Sequence, residues 1–260
     1  MTTISASQVA QLRARTGAGI LEAKKALEEA NGDESMAIDI LRKKGKAQAI
    51  KKADRTQSEG GIFISTDGKK AALVMLKCET DFVGRSDNFI KVGQALAQVL
   101  HEKGPEGFET MASEKVPAAV LELGENISVG ETAILSAPVI GTYVHSNRKI
   151  GVVIGLSKGT TEQAVDAAMH AAAMSPQYKM PEHVPAELLA KEREIWTEQM
   201  AKDAGKKPPE ILEKIMIGKE KKFREENALV TQAFVKDPSK TVGHMLEGAE
   251  VTEYLRLALG

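Results

Sequence analysis

The feature that most constrains this chain is a pattern that occurs twice. Two apolar runs, Ile62–Ser65 and Ala71–Leu76, flank the turn signal Asp67-Gly68. They read as the strands of a β-hairpin, because apolar runs broken by an Asp-Gly pair satisfy strand and turn chemistry together. After a polar loop, Phe89, Ile90, Val92, Ala95, Leu96, Val99 and Leu100 recur at helical spacing and cover a broad face, as for a helix lying on a sheet. The same order returns about eighty residues later, a sign of internal duplication. It runs through Val139–Val144, a polar turn at Ser146-Asn147, Ile150–Leu156 and a helix near Glu162 to Met174. Such a chain predicts an α+β core of two similar hairpin-plus-helix subdomains, each offering an equivalent loop or strand end to a partner.

The residues before this core read as three short helices. Ser5 with Gln8 has capping-box spacing, and Thr16-Gly17-Ala18-Gly19 ends the first helix. Ile20, Leu21, Ala23 and Leu27 give the second its apolar face, and Asn31-Gly32 stops it. Asp33 caps a third, with Met36, Ile40 and Leu41 on one face up to Gly45. Lysines and arginines crowd positions 42–55, and Ser58-Glu59-Gly60-Gly61 then has the composition of a flexible boundary.

Beyond the second repeat, Ala186–Met200 and Pro209–Phe223 form two helical patterns joined by Ala204-Gly205-Lys206-Lys207-Pro208, an expected antiparallel helical hairpin. Leu229-Val230, Phe234-Val235 and Val251–Leu259 allow short strands that complete the second subdomain. The expected division is a three-helix domain at 1–55, a first core subdomain at 56–138, and a second at 139–260 carrying the hairpin insertion at about 186–223.

Composition excludes several functions. Thirty-five basic and thirty-six acidic residues give a formal charge of -1, so affinity built on neutralising phosphates is not expected. One cysteine, Cys78, permits neither an intrachain disulfide nor a CxxC pair, which fits a reducing compartment. The N-terminus has no basic and apolar leader pattern, and no run of about 18 apolar residues occurs. A cytoplasmic protein with no membrane attachment is expected.

No catalytic or metal constellation can be assembled. The histidines at 101, 145, 170, 183 and 244 are scattered, without HxxxH or HExxH spacing. Gly17-Ala18-Gly19 follows a helix and lacks the further residues of a phosphate loop, so it reads as a turn. Cys78 reads as a buried small hydrophobe at a strand end. Trp196 fits either an interface anchor or packing inside the helical hairpin. Neither an enzyme nor a cofactor is expected.

The informative stretch is Cys78 to Asp87, where Phe82 and Val83 fall in an otherwise polar connection between strand and helix. Local pattern leaves Phe82 either covering the end of the sheet or presented outward.

Thr80-Asp81-Phe82-Val83 closely resembles the signature of the bacterial elongation factor Ts family, guanine-nucleotide exchange factors for elongation factor Tu. The resemblance extends to Arg15–Gly19 with Glu22–Leu27 and Asn31-Gly32-Asp33, in a head similar to ubiquitin-associated (UBA) three-helix domains. It continues through Gly124-Glu125-Asn126, Tyr143 with His145, Met169-His170 and Pro238–Val242, and so spans nearly the whole chain. It implies that the partner is GDP-bound elongation factor Tu. Thr80, Asp81, Phe82 and Val83 would then enter the partner's nucleotide-binding domain, with Phe82 as a wedge and Asp81 helping to disturb the magnesium environment. His145 would touch the partner near its phosphate loop, and Arg13, Ile20 and Leu21 would contact its surface.

Two departures bear on these expectations. Many relatives continue past the segment matching Val251–Leu259, which leads one to expect reduced partner affinity here. Gly84 stands where relatives often carry alanine, which adds backbone freedom beside the wedge. The competing expectation is an RNA- or ribosome-binding module using the basic 42–55 segment, although this segment lacks interleaved aromatics for stacking bases.

Overall fold

The computed structural model describes residues 4–201 and 208–260, and the connector Ala204–Lys207 lies outside them. The fold is α+β. By internal packing the chain forms two units. One comprises Met1–Leu135, Val144–Gly151 and Leu257–Gly260, and the other Ser136–Tyr143 and Val152–Arg256.

The first unit opens with α1 (Ala6–Thr16), α2 (Ile20–Glu29) and α3 (Glu34–Lys52). The local signals act as their chemistry dictates. Ser5 and Gln8 form a reciprocal capping box, and Gly17 ends α1 in the left-handed region at φ 72°. Asn31 and Gly32 both take positive φ, and the Asp33 side chain accepts from the Met36 amide at 2.9 Å. The three helices enclose a core of Val9, Leu12, Ala23, Ala26, Leu27, Ala37 and Leu41.

Three expectations for this region are corrected. Ile20 and Leu21 are 59% and 71% exposed, and Met36 also faces outward; Ala23 and Leu27 are buried as expected, joined by Ala26 and Ala37. Small side chains let short helices approach closely, and that overrides a face drawn from hydrophobicity alone. Gly45 does not stop α3. It is buried mid-helix, and a Cβ there would sit 2.8 Å from the Pro117 carbonyl, so its role is close approach to another helix. Glu59-Gly60-Gly61 is strand rather than linker.

Strands β1 (Glu59–Thr66) and β2 (Lys70–Cys78) pair antiparallel from Glu59 opposite Cys78 to Thr66 opposite Ala71. Asp67 closes the turn by accepting from the Lys69 and Lys70 amides at 2.9 and 2.8 Å. A four-residue helical turn, α4 (Asp81–Gly84), leads into α5 (Asp87–Leu123). Within α5, Gly104 at φ 69°, followed by Pro105, breaks the helix into two stretches. Strand β3 (Ser128–Ser136) completes the sheet in the order β1-β2-β3. The core beneath joins Phe63, Val74, Leu76, Phe89, Leu96, Leu100, Phe108 and Val120, with the Phe63 and Phe89 rings 6.0 Å apart.

The second unit repeats the theme. Strands β4 (Val139–Val144) and β5 (Ile150–Leu156) precede α6 (Thr161–Met174), which opens on a Thr160–Gln163 capping box. Helices α7 (Ala186–Ala201) and α8 (Pro209–Asn227) follow, then a 3-10 turn at Leu229–Thr231 where a strand was expected. Short strands β6 (Ala233–Phe234) and β7 (Asp237–Thr241) pair with each other before α9 (Val242–Met245). Strand β8 (Val251–Ala258) joins the second sheet in the order β4-β5-β8. Trp196 packs edge-on against Phe223 at 5.8 Å, which assigns the indole to packing between α7 and α8.

Candidate functional site

The Thr80–Val83 segment leaves the end of β2 and closes at once into the turn α4. Thr80 is its N-cap, with the hydroxyl accepting from the Val83 amide at 3.4 Å. Gly84 N donates to Thr80 O at 3.1 Å and Arg85 N to Asp81 O at 3.0 Å, so the turn is closed by its own backbone. Asp81, in the first turn, pairs with Arg85 at 3.2 Å.

This geometry decides the two positions local pattern left open. Val83 packs against the core beneath the sheet. Phe82 is 84% exposed and covers nothing. Among the described residues it is the most exposed of the large hydrophobic side chains and the only aromatic of that group.

The base of the turn is cross-braced by two carboxylates. Glu125 accepts from the Glu79 and Thr80 amides, both at 3.0 Å, and from the Thr80 hydroxyl at 2.5 Å. Glu79 in return accepts from the Asn126 amide at 2.6 Å and from Arg55 at 3.4 Å. The Asn126 amide foremost, with Arg55 adding its charge, holds the Glu79 carboxyl below its ordinary range. Cys78 lies buried beneath, its Sγ 3.2 Å from Thr80 O. Burial, followed by the nearby carboxylates of Glu125 and Glu59, pushes its thiol up to about 12, which keeps it protonated at neutral pH.

The turn bearing His145 approaches the same end of β1. Ile62 N donates to Arg148 O at 2.8 Å and Lys149 pairs with Glu59 at 2.7 Å, while Gly84 lies against Gly60. His145 is exposed, and its amide donates to Ile150 O at 2.9 Å. The first residues of β1 therefore bring the Phe82 turn and the His145 turn together. Arg13, Ile20 and Leu21 belong to the helical head, where Arg13 is exposed and its Nε donates to Ala18 O at 3.2 Å.

Part of the basic segment meets internal partners, while Lys43, Lys46 and Lys51 are exposed. Arg42 faces Glu114 at 3.6 Å, Lys44 meets Glu29 at 2.7 Å, Lys52 reaches the Gly124 carbonyl and Arg55 meets Glu79. Among the described residues no group of three potential ligands could hold a metal ion, and no helix is long and apolar enough to cross a membrane.

Sequence reasoning noted Glu125 and Asn126 only through resemblance and missed Glu79. A carboxylate closing a strand, and Gly-Glu-Asn at a helix stop, are the signals that could have found them.

The family model described as elongation factor Ts matches residues 79–260. The elongation factor Ts of Aeromonas hydrophila is 43% identical, covering 100% of this chain and 92% of the relative. That of Marinobacter nauticus is likewise 43% identical over 100% and 92%. The Photorhabdus laumondii protein is 43% identical over 100% and 93%.

Proposed function

The chain belongs to the elongation factor Ts family, and from that premise we propose that it releases GDP from elongation factor Tu in the cytoplasm by pressing Phe82 into the GTPase, without covalent chemistry of its own. The observation that carries this reading is the exposed Phe82 ring on a turn whose base is fixed by hydrogen bonds.

Burying a phenylalanine is worth about 1.5–3 kcal/mol, enough to drive a modest displacement in a partner. Tight nucleotide binding depends on a well-placed magnesium ion that shields phosphate charge, and magnesium demands near-ideal geometry. Phe82 acts as the wedge, while Asp81 brings a carboxylate close to the disturbed ion. Ile20 and Leu21 supply exposed apolar surface for docking, with Arg13 beside them and His145 contributing from the neighbouring turn. Coupling is reciprocal: the free energy by which the factor weakens nucleotide equals that by which nucleotide weakens the factor, so incoming GTP expels it.

The test is stopped-flow release of a fluorescent GDP from elongation factor Tu. Phe82→Ala should slow release roughly ten- to hundredfold, the rate equivalent of the lost burial. An unchanged rate from the folded variant overturns the reading.

A further inference from the structure

We propose that Glu125 is the positioning residue of the exchange turn, and that Gly124-Glu125-Asn126 is a joint tying the Phe82 turn to the exit of the three-helix segment. The proposal rests on the reading of Phe82 as the wedge.

A turn of four residues has no helical cooperativity to keep it formed, because nucleation fixes several dihedrals for a single hydrogen bond. An aromatic carried on such a turn would sample many directions unless the turn were held from outside. Glu125 supplies that hold. Its Oε2 accepts the two consecutive amides of Glu79 and Thr80, and its Oε1 takes the Thr80 hydroxyl. That hydroxyl also accepts from the Val83 amide, so the carboxylate acts through Thr80 on the residue next to Phe82. Charge-assisted hydrogen bonds are stronger than neutral ones, and three converge on one side chain.

Every residue of the joint is engaged. Gly124 ends α5 at φ 77°, a left-handed position that favours glycine, and its carbonyl receives Lys52 from the end of α3 at 2.5 Å. The Asn126 amide donates to Glu79, and its side chain donates to the carbonyls of Ala53 at 3.2 Å and Arg55 at 3.0 Å. Asn126 is itself buried. The residues leaving α3 and the strand end that launches Phe82 are thus fastened to one tripeptide.

Because Glu125 orders the wedge rather than touching the partner, its loss should fall on the maximal rate of release more than on docking. In Glu125→Gln the charge is lost, so the bonds from the Glu79 and Thr80 amides are no longer charge-assisted, and an NH2 stands in place of the oxygen that took the Thr80 hydroxyl. With the full chain and elongation factor Tu carrying fluorescent GDP, Glu125→Gln should lower the maximal release rate about tenfold. The half-saturating factor concentration should shift less than about threefold. Amide hydrogen exchange across residues 80–84 should accelerate about tenfold. Combining Glu125→Gln with Phe82→Ala should be no slower than Phe82→Ala alone, since one acts through the other.

Wild-type release with wild-type amide protection in folded Glu125→Gln overturns the proposal, as does a double variant whose losses multiply. If Glu125→Gln does not fold, Glu79→Gln loosens the same brace from its other side and must show the same faster exchange at 80–84 and the same non-additivity; their absence overturns the proposal equally. A normal rate for Phe82→Ala by itself removes the wedge, and with it this inference. Slow release by Phe82→Ala with an unaffected Glu125→Gln removes the joint alone.

Discussion

Phe82 and Val83 are consecutive in one helical turn yet face opposite ways: the phenylalanine ring stands in solvent while the valine packs on the core beneath the β1-β2 hairpin. Successive residues in a helix are rotated by about 100°. One short turn can therefore be anchored by one side chain while it offers the next.

The two side chains should therefore differ in what they contribute to stability. Phe82→Ala should leave the melting temperature within about 1 °C of wild type, because surface substitutions rarely exceed ±0.5 kcal/mol. Val83→Ala should lower stability by about 1 kcal/mol through lost core contact. Thermal melts followed by circular dichroism decide between them, and a large loss from Phe82→Ala would show that the ring packs inward after all.

Two glycines should respond oppositely to alanine. At Gly93 a Cβ would lie 2.2 Å from the Phe63 ring, whose place in the core is fixed by its neighbours. Gly93→Ala should cost about 1–3 kcal/mol by overpacking. At Gly84 the nearest atoms would be 3.5 Å away, an ordinary contact, and φ is not positive. Gly84→Ala should be neutral or stabilising by up to about 1 kcal/mol, as alanine is the better helix former. Urea titrations of both variants read the difference directly.

His170 predicts a specific pH dependence. It is buried in α6; Val235 N donates to its Nδ1 at 3.2 Å, which leaves Nε2 to donate to Gln232 Oε1 at 2.9 Å. Burial lowers its pKa below 6.5, only partly offset by Gln232. Above the unfolded value the ring is neutral in both states and its contribution is complete. As pH falls below about 6.5 the unfolded chain binds a proton first, so stability declines until the lower folded value is reached. Unfolding free energies at pH 7.5, 6.5 and 5.5 should fall in wild type and fall less steeply in His170→Gln.

Cys78 should resist alkylation. With its thiol buried and pushed up to about 12, iodoacetamide at neutral pH should modify the folded protein at a small fraction of its rate in denaturant. Rapid labelling of the native chain, measured by mass spectrometry, would contradict the placement of this residue at the base of the Phe82 turn.

What the sequence determined by itself was whatever nearby residues decide among themselves. Ser5 with Gln8, Asp33, Asn31-Gly32 and Asp67-Gly68 act within three or four positions, and each forms the cap or turn its chemistry dictates. The repeated hairpin and helix were legible for the same reason, as was family membership from the order of the motifs. Tertiary structure alone decided which apolar side chains stay in solvent. Nothing local distinguishes exposed Met36 from buried Leu41, or tells that Gly45 serves approach to Pro117 rather than a helix stop. The helical stretch after Gly104 and the strand β3 were not legible locally, because Gly104-Pro105 has the chemistry of a helix stop and β3 carries no fully buried apolar run. The brace on the Phe82 turn joins Glu79 and Thr80 to Glu125 and Asn126 across 45 to 47 positions. A carboxylate's partners at that separation are chosen by where the chain returns, and only the packed fold brings it back there.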